Sequence, residues 1–316
     1  MTVGREHGQD LTKWAWLSIA AAIVTIALKT GAYLLTGSVG LLSDAMESVV
    51  NLVAAILALI ALWIASRPAD DTHHYGHGKA EYFSAGAEGV MIFVAAVLII
   101  VSAVNRLRNP EPLESLGIGL AITLLATAVN GVVGMMVLRA GRRHRSITLV
   151  ADGKHLLTDV WTSAGVIVGV GLVAITGWLP LDSLVAIGVA LNILWTGFGL
   201  VRHAFDGLMD KALPKAEVDA VHEALRAIAA SYPPGEVSFH EIQSRESGRQ
   251  RFVSLHVLVP GDWTVAQGHD LLEHVEESVV AVLEGADVHT HLEPREDPRS
   301  YEKPEPKTVI VHEGPE

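Results

Sequence analysis

The chain has 316 residues, of which 50% are hydrophobic and 18% are charged, and this composition favours an integral membrane protein over a soluble one. It contains no cysteine, which excludes disulfides, iron–sulfur clusters, thiolate metal sites and cysteine nucleophiles. Its net charge of −12 argues against nucleic acid as a partner and favours small cations.

The charge is divided unevenly along the chain. Residues 1–210 carry 13 basic and 15 acidic side chains, whereas residues 211–316 carry 10 and 20. This contrast predicts two different bodies. We therefore divide the chain into an N-terminal cytoplasmic tail (1–13), a six-span transmembrane domain (14–208), a cytoplasmic domain (209–293) and a disordered acidic tail (294–316).

Six apolar stretches predict membrane-spanning helices, because each has about the 20 residues that cross a hydrocarbon core. Ten basic residues flank the spans on one face, and only Arg106 and Arg108 flank them on the other. This asymmetry places both termini in the cytoplasm. The stretches run approximately over residues 14–35, 39–65, 83–104, 116–138, 147–175 and 181–201.

Two pairs of polar residues lie at matching depths in the second and fifth spans. Glu47 follows Ser38 by nine residues, and His155 follows Ser146 by nine, which is about 14 Å of helix from opposite faces. Each has a polar partner four residues later, Asn51 and Asp159, on the same face of its helix. Two facing helices would thus bring together a carboxylate, an amide, an imidazole and a second carboxylate, which suits a tetrahedral divalent cation.

A structural alternative applies to these four residues. Polar side chains in membrane spans often form interhelical hydrogen bonds that hold a bundle together. A charge at mid-membrane nevertheless costs on the order of 2.5–3.5 kcal/mol, and here two depth-matched pairs include the only mid-span histidine. The pattern favours a metal site over the structural alternative.

The connection between the second and third spans contains a second group of ligand-type residues. Asp70, His73 and His77 lie within eight residues of a loop rich in glycine and proline, and this spacing predicts a surface metal site. The alternative is an ordinary solvated polar loop.

The polar C-terminal part has a different pattern. It predicts a helix over 215–231, strands over 236–245 and 251–259, a helix over 264–283 and a short strand over 287–292. This α-β-β-α-β order is typical of a small two-layer α+β domain. The chain from residue 215 onward holds eight of the fifteen histidines, and these favour metal binding over nonspecific attraction of cations by the acidic surface. The residues concerned are His240, His256, His269, His291 and Glu293.

Three motifs resemble the cation diffusion facilitators, a family of homodimeric exporters of divalent metals such as Zn²⁺. They are the segment Gly37 to Asp44 leading to Glu47, the loop Gly76 to Lys79, and the segment Ala151 to His155 leading to Asp159. The resemblance extends from about Trp14 to Pro294. It implies a metallochaperone-like cytoplasmic domain.

The resemblance also implies roles for the ligand-type residues. Glu47, Asn51, His155 and Asp159 would form the transport site, Asp70, His73 and His77 the loop site, and the five C-terminal residues a binuclear site. Zinc members usually carry Asp or His at the position of Glu47 and Asp at that of Asn51. Because these differences make the site harder, Fe²⁺, Mn²⁺ and Co²⁺ compete with Zn²⁺ as the substrate.

We therefore expect a metal/proton antiporter in the bacterial inner membrane, with Zn²⁺ as the first-choice substrate and as a regulatory ligand. We expect a homodimer in contact with membrane lipid, with no resident cofactor and no nucleic acid partner. The alternative is a membrane-anchored metal sensor or buffer without transport. An intramembrane metalloenzyme is disfavoured, because the chain has no His-Glu-x-x-His motif.

Overall fold

The computed structural model describes residues 10–36, 39–108, 118–178, 180–301 and 310–311. The chain divides into two compact units at the bond between Leu208 and Met209. The helical unit precedes this point, and the C-terminal unit follows it.

The helical unit confirms the six predicted helices. α3 packs most extensively on α6, α4 on α5, and α1 on α2. Among the described residues, every helix except α5 contains a stretch long and apolar enough to cross a membrane by length and composition. α5 has 30 residues and carries Asp152, Lys154 and Asp159 in its first half. The helices are α1 (Thr12–Thr36), α2 (Val39–Ala65), α3 (Ala80–Arg108), α4 (Ile118–Arg143), α5 (Ile147–Thr176) and α6 (Pro180–Leu208).

Local sequence signals fix α5 in position. The hydroxyl of Ser146 accepts a hydrogen bond from the backbone N–H of Leu149 at 3.3 Å and caps the N-terminus. At the other end Gly177 adopts a left-handed conformation with φ of 71°, which glycine adopts without steric cost. A Cβ at Gly153 would lie 2.6 Å from the backbone nitrogen of Leu138 on α4. The glycine therefore lets α4 and α5 cross closely.

The C-terminal unit confirms the predicted α-β-β-α-β order. β1 and β2 form an antiparallel hairpin, and β3 adds to β2 in parallel. The hydrophobic core lies between the helices and the sheet, with Leu225, Phe239, Leu255 and Val275 among its buried members. The elements are α7 (Lys215–Ala230), β1 (Ser238–Ser247), β2 (Gln250–Val259), α8 (Val265–Val282) and β3 (Asp287–Pro294).

The expectation of disorder from residue 294 onward does not hold for the described part of that segment. A 3₁₀ turn spans Pro298–Tyr301, and β4 (Ile310–Val311) pairs antiparallel with β1 at the edge of the sheet. Ile310 is buried in the hydrophobic core of the unit. Burial of an apolar side chain against α7 and β1 offsets the entropy of ordering this short stretch.

Candidate metal-binding sites

Three of the four predicted intramembrane residues meet in the interior of the helical unit. His155 Nε2 on α5 donates a hydrogen bond to Asn51 Oδ1 on α2 at 2.7 Å. The amide of Asn51 in turn donates through Nδ2 to Asp159 Oδ2. All three side chains are buried. The imidazole, the amide and the carboxylate predicted from sequence thus form one connected cluster.

A fourth member of this cluster escaped the sequence analysis. Asn130 on α4 donates from Nδ2 to Asp159 Oδ2 at 3.0 Å and is 1% exposed. Its signal was an isolated amide in the middle of an apolar span, where a polar side chain needs a partner. The residues four positions before and after Asn130 are Ala126 and Gly134, so Asn130 belongs to no pair of polar residues spaced four apart.

Two atoms of the cluster are buried acceptors without a hydrogen-bond donor. They are Nδ1 of His155 and Oδ1 of Asn130. An unsatisfied buried polar atom costs about 1–3 kcal/mol, so a bound cation or a hydrogen-bond donor would stabilise this part of the interior. Imidazole nitrogen, amide oxygen and carboxylate oxygen together are suitable ligands for a divalent transition-metal ion.

Glu47 is placed differently from the other three predicted residues. It lies one turn before Asn51 on α2, and its side chain is exposed in the single chain. Glu47, His155 and Asp159 do not together bring their ligand atoms within 4.8 Å of one another. Residues four apart on a helix are rotated by about 40°, which is enough to set Glu47 at the rim while Asn51 points inward.

The structure brings the three loop residues together as predicted. Ligand atoms of Asp70, His73 and His77 all lie within 4.8 Å of one another. His77 is the most enclosed, with 11% of its side chain exposed, whereas Asp70 and His73 are more than half exposed. Hydrogen bonds from the side chain and backbone of Thr72, followed by the backbone N–H of His73, hold the pKa of Asp70 well below its usual range. Asp70 is therefore an anionic ligand at any physiological pH.

The C-terminal cluster is built on one row of the sheet. His240 on β1 lies opposite His256 on β2, which lies opposite His291 on β3. Glu293 is two residues beyond His291 and therefore points to the same face. Its Oε2 lies 2.9 Å from His240 Nε2 and 3.1 Å from His256 Nδ1, and its Oε1 lies 3.4 Å from His291 Nε2. One carboxylate thus contacts three imidazoles.

The electrostatics of Glu293 suit a ligand. Burial raises its pKa, but the hydrogen bond from His240 and the contact with His256 outweigh that effect, so the pKa lies below its usual range. Ligand atoms of His240, His256 and Glu293 all lie within 4.8 Å of one another. The carboxylate remains ionised at neutral pH, as coordination requires.

Two residues of this unit depart from the sequence analysis. His269 on α8 is 67% exposed and lies beside Glu273, at 3.9 Å, so the single chain does not bring it into the cluster. Glu241, which we did not predict, has its Oε2 3.8 Å from His256 Nε2. It occupies an irregularity in β1 with a positive φ of 49°. Such a bulge re-aims a side chain, and sequence alternation would have assigned Glu241 to the opposite face from His240.

The chain combines a bundle of long apolar helices, which contains a buried cluster of imidazole, amide and carboxylate groups, with an α+β unit that contains a second ligand cluster. These features define an integral membrane protein with candidate ion-binding sites. The profile of the cation efflux transmembrane domain matches residues 15–209, and that of the cation efflux protein cytoplasmic domain, designated ZT_dimer, matches residues 218–295. The chain belongs to the cation efflux family, the cation diffusion facilitators, which is a family of transporters.

Known relatives cover almost the whole chain. The uncharacterized transporter sll1263 of Synechocystis sp. is 52% identical over 295 residues, covering 92% of this chain and 93% of the relative. The cation-efflux pump FieF of Salmonella arizonae is 28% identical over 292 residues, covering 92% and 95%. The solved metal-bound C-terminal domain of the CzcD transporter from Thermotoga maritima is 22% identical and covers 27% of this chain and 98% of that domain. Its TM-score of 0.23 is too low to carry an argument.

Proposed function

We propose that this protein exports a divalent transition-metal cation from the cytoplasm in exchange for protons, by alternating access. The observation that carries the proposal is the buried cluster of Asn51, Asn130, His155 and Asp159, in which Nδ1 of His155 and Oδ1 of Asn130 lack donors. Membership in the cation efflux family supports the direction of transport. Glu47, one turn from Asn51, would complete the site when the helices rearrange during the transport cycle.

The chemistry of the cluster couples the metal to protons. Coordination needs a neutral His155 and an ionised Asp159, so the metal and protons compete for the same lone pairs. A site that binds the metal from one side releases protons there, and an empty site on the other side takes protons up. Protons then drive the return of the empty carrier.

Zn²⁺ is the first-choice substrate, because one imidazole with three oxygen ligands suits a tetrahedral ion. The amides of Asn51 and Asn130 make the site harder and less negative than a set of carboxylates, which keeps Fe²⁺, Mn²⁺ and Co²⁺ as competitors. The transporter has no resident cofactor in this proposal, and the metal is its cargo.

We assign the protein to the bacterial inner membrane with both termini in the cytoplasm. The excess of basic residues at one end of the spans supports this orientation. The lipid-facing surface would comprise the many exposed apolar side chains of the helical unit, for example Leu98, Ile175 and Trp195.

The loop and C-terminal clusters would act on the cytoplasmic side. The loop residues Asp70, His73 and His77 would capture metal near the entrance. The C-terminal cluster would sense metal within a homodimer, an arrangement that the match to the ZT_dimer domain supports. A ligand set shared between two protomers would favour one dimer arrangement when metal is bound, and His269 would enter the site in that state.

Flux in proteoliposomes tests the proposal. Purified protein is reconstituted with an internal metal indicator, a pH gradient is imposed, and uptake is followed for Zn²⁺, Fe²⁺, Mn²⁺ and Co²⁺. We expect gradient-dependent uptake of at least one ion, and its loss in His155→Ala. The matched control is His203→Ala, which removes an exposed histidine on α6 and should leave uptake unchanged. Metal binding without flux in the wild type would overturn transport in favour of a membrane-anchored sensor or buffer.

A further inference from the structure

Glu88 is a buried carboxyl group that the proposed metal site does not use. It lies on α3, is 0% exposed, and is flanked on the same helix face by the buried apolar residues Ala85 and Ile92. The hydroxyl of Ser84 donates to its Oε1 at 3.3 Å. Its other oxygen, Oε2, is buried and has no hydrogen-bond partner. An acidic side chain in this setting is costly unless a proton or a cation neutralises it.

Asp152 on α5 is a second such group, and the two carboxyl groups interact. Asp152 is 2% exposed, and its Oδ2 accepts a hydrogen bond from Ser18 on α1 at 2.5 Å. Ala151, the residue before Asp152, packs in the same hydrophobic cluster as Ala85 and Ile92, which flank Glu88, and the two carboxyl groups interact electrostatically. Two ionised carboxylates in one buried region repel each other, and this repulsion favours a state in which the pair holds one proton.

The neighbouring helices contribute few other titratable groups to this region. Among the described side chains, the buried titratable groups of the helical unit besides this pair are Lys29 on α1, Glu81 and Tyr82 at the start of α3, and His155 and Asp159 on α5. Glu81 is engaged at the N-terminus of α5, where it accepts a hydrogen bond from Ser146 at 2.5 Å. The buried polar side chains of α2, α4 and α6 are uncharged, and they are Ser48, Asn51, Asn130 and Ser183.

We propose that Glu88 and Asp152 form a proton-binding pair, separate from the metal ligands, that carries a proton exchanged for the metal. The inference rests on the proposed antiport and names a carrier for its proton. Asp152 precedes His155 by three residues on α5, which is about 4.5 Å along the helix axis. A divalent ion bound at His155 would repel the proton held one turn away, and this repulsion couples the two sites.

The exchange is a simple proton transfer. When the metal binds from the cytoplasm, the O–H bond of the protonated carboxyl breaks and the proton passes to cytoplasmic water. The pair then carries a second negative charge that the nearby metal compensates. When the metal leaves on the other side, the pair takes a proton from water there. The complete cycle returns the pair to its starting protonation state.

Counting the protons released on metal binding tests this assignment. The full-length protein is titrated with Zn²⁺ in weakly buffered solution with a pH indicator, and Glu88→Gln and Asp152→Asn are compared with the wild type. We expect each variant to release about one proton fewer per bound Zn²⁺ ion. The matched control is Asp182→Asn, which removes a carboxylate paired with Arg106 at 3.2 Å and should release as many protons as the wild type. Equal proton counts in both carboxylate variants and the wild type would overturn the assignment.

A second measurement uses the unmodified protein, in case a variant fails to fold. Infrared difference spectroscopy should show that Zn²⁺ binding removes the carbonyl band of a protonated carboxylic acid. If the wild type keeps that band, the assignment is wrong. If the wild type transports Zn²⁺ but both variants release as many protons as the wild type, this inference alone is overturned. If the variants release fewer protons but the wild type shows no flux, the proposed transport is overturned and the proton pair stands.

Discussion

The side-chain amide of Asn51 on α2 links two residues of α5, His155 and Asp159. Asn51 accepts from His155 Nε2 through Oδ1 at 2.7 Å and donates to Asp159 through Nδ2. This orientation requires the proton of a neutral His155 to lie on Nε2, because the amide oxygen can only accept. Nδ1 then carries the lone pair, and it is the buried atom without a donor. The amide thus presets the tautomer of the imidazole.

Asn51→Asp tests the role of this amide in setting the strength of the metal site. A carboxylate in place of the amide adds a negative charge beside Asp159, so we expect Zn²⁺ to bind about tenfold more tightly, on the order of 1.4 kcal/mol. The affinity should also fall more steeply as the pH is lowered, because another carboxylate competes for protons. Zn²⁺ titrations at two pH values measure both effects. The comparison variant is Asn51→Leu, which should weaken binding, and identical affinities for all three proteins would contradict a ligand role.

Gly153→Ala tests whether the close crossing of α4 and α5 positions the cluster. A Cβ at Gly153 would lie 2.6 Å from the backbone nitrogen of Leu138, so the helices must separate. Overpacking of this kind costs about 1–3 kcal/mol, and it should also move Asn130 away from Asp159 and reduce metal binding. The control is Gly188→Ala on α6, where an added Cβ meets nothing within 4 Å. Thermal unfolding in detergent and Zn²⁺ binding should both change in the first variant only.

The fold was largely predictable because hydrophobic patterns reflect burial directly. All six long helices and the α-β-β-α-β order follow from apolar stretches and alternation. Helix ends were less predictable: α6 continues to Leu208, beyond the last predicted apolar residue Val201, because charged side chains are well accommodated on a helix once it leaves the hydrocarbon region.

The candidate site was predictable where ligands repeat along one element and less so where they come from several. Spacing on a single helix identified the pairs on α2 and α5, but it could not show that Glu47 and Asn51 differ in burial. Asn130 joins from α4 through tertiary packing alone. Glu241 reaches His256 only because an irregularity in β1 re-aims it, and alternation cannot anticipate a bulge.

Glu293→Gln is expected to disable the C-terminal cluster. Glu293 contacts His240, His256 and His291. The C-terminal unit has its own hydrophobic core and is expressed as residues 209–316. Zn²⁺ should raise the melting temperature of the wild-type unit, and the substitution should abolish that rise. His274→Ala, which removes an exposed histidine on α8, should keep the rise. A Zn²⁺-dependent rise that survives in Glu293→Gln would remove this carboxylate from the ligand set.

The same carboxylate makes a pH-dependent contribution to stability. The pKa of Glu293 is lowered in the folded protein, so its stabilising contribution is present above the ordinary pKa of a glutamate. That contribution is lost as the pH falls through the lowered value. In the absence of metal, acidification should therefore destabilise the wild-type C-terminal unit more than Glu293→Gln, and equal losses in melts over a pH series would contradict this sign.

Ile310→Ala tests whether the chain beyond β3 is part of the folded unit. Ile310 is 4% exposed and pairs with Phe239 on β1, so truncation to Ala leaves a cavity in the hydrophobic core. We expect a loss of about 2 kcal/mol, at the low end for a buried isoleucine because β4 has only two residues and can relax. Ile310→Val removes a single methylene and should cost about 1 kcal/mol. Urea unfolding of residues 209–316 measures both losses in the free energy of unfolding. A larger loss for Ile310→Ala than for Ile310→Val would indicate that Ile310 packs in the core. Two variants as stable as the wild type would show that the tail contributes nothing to the core.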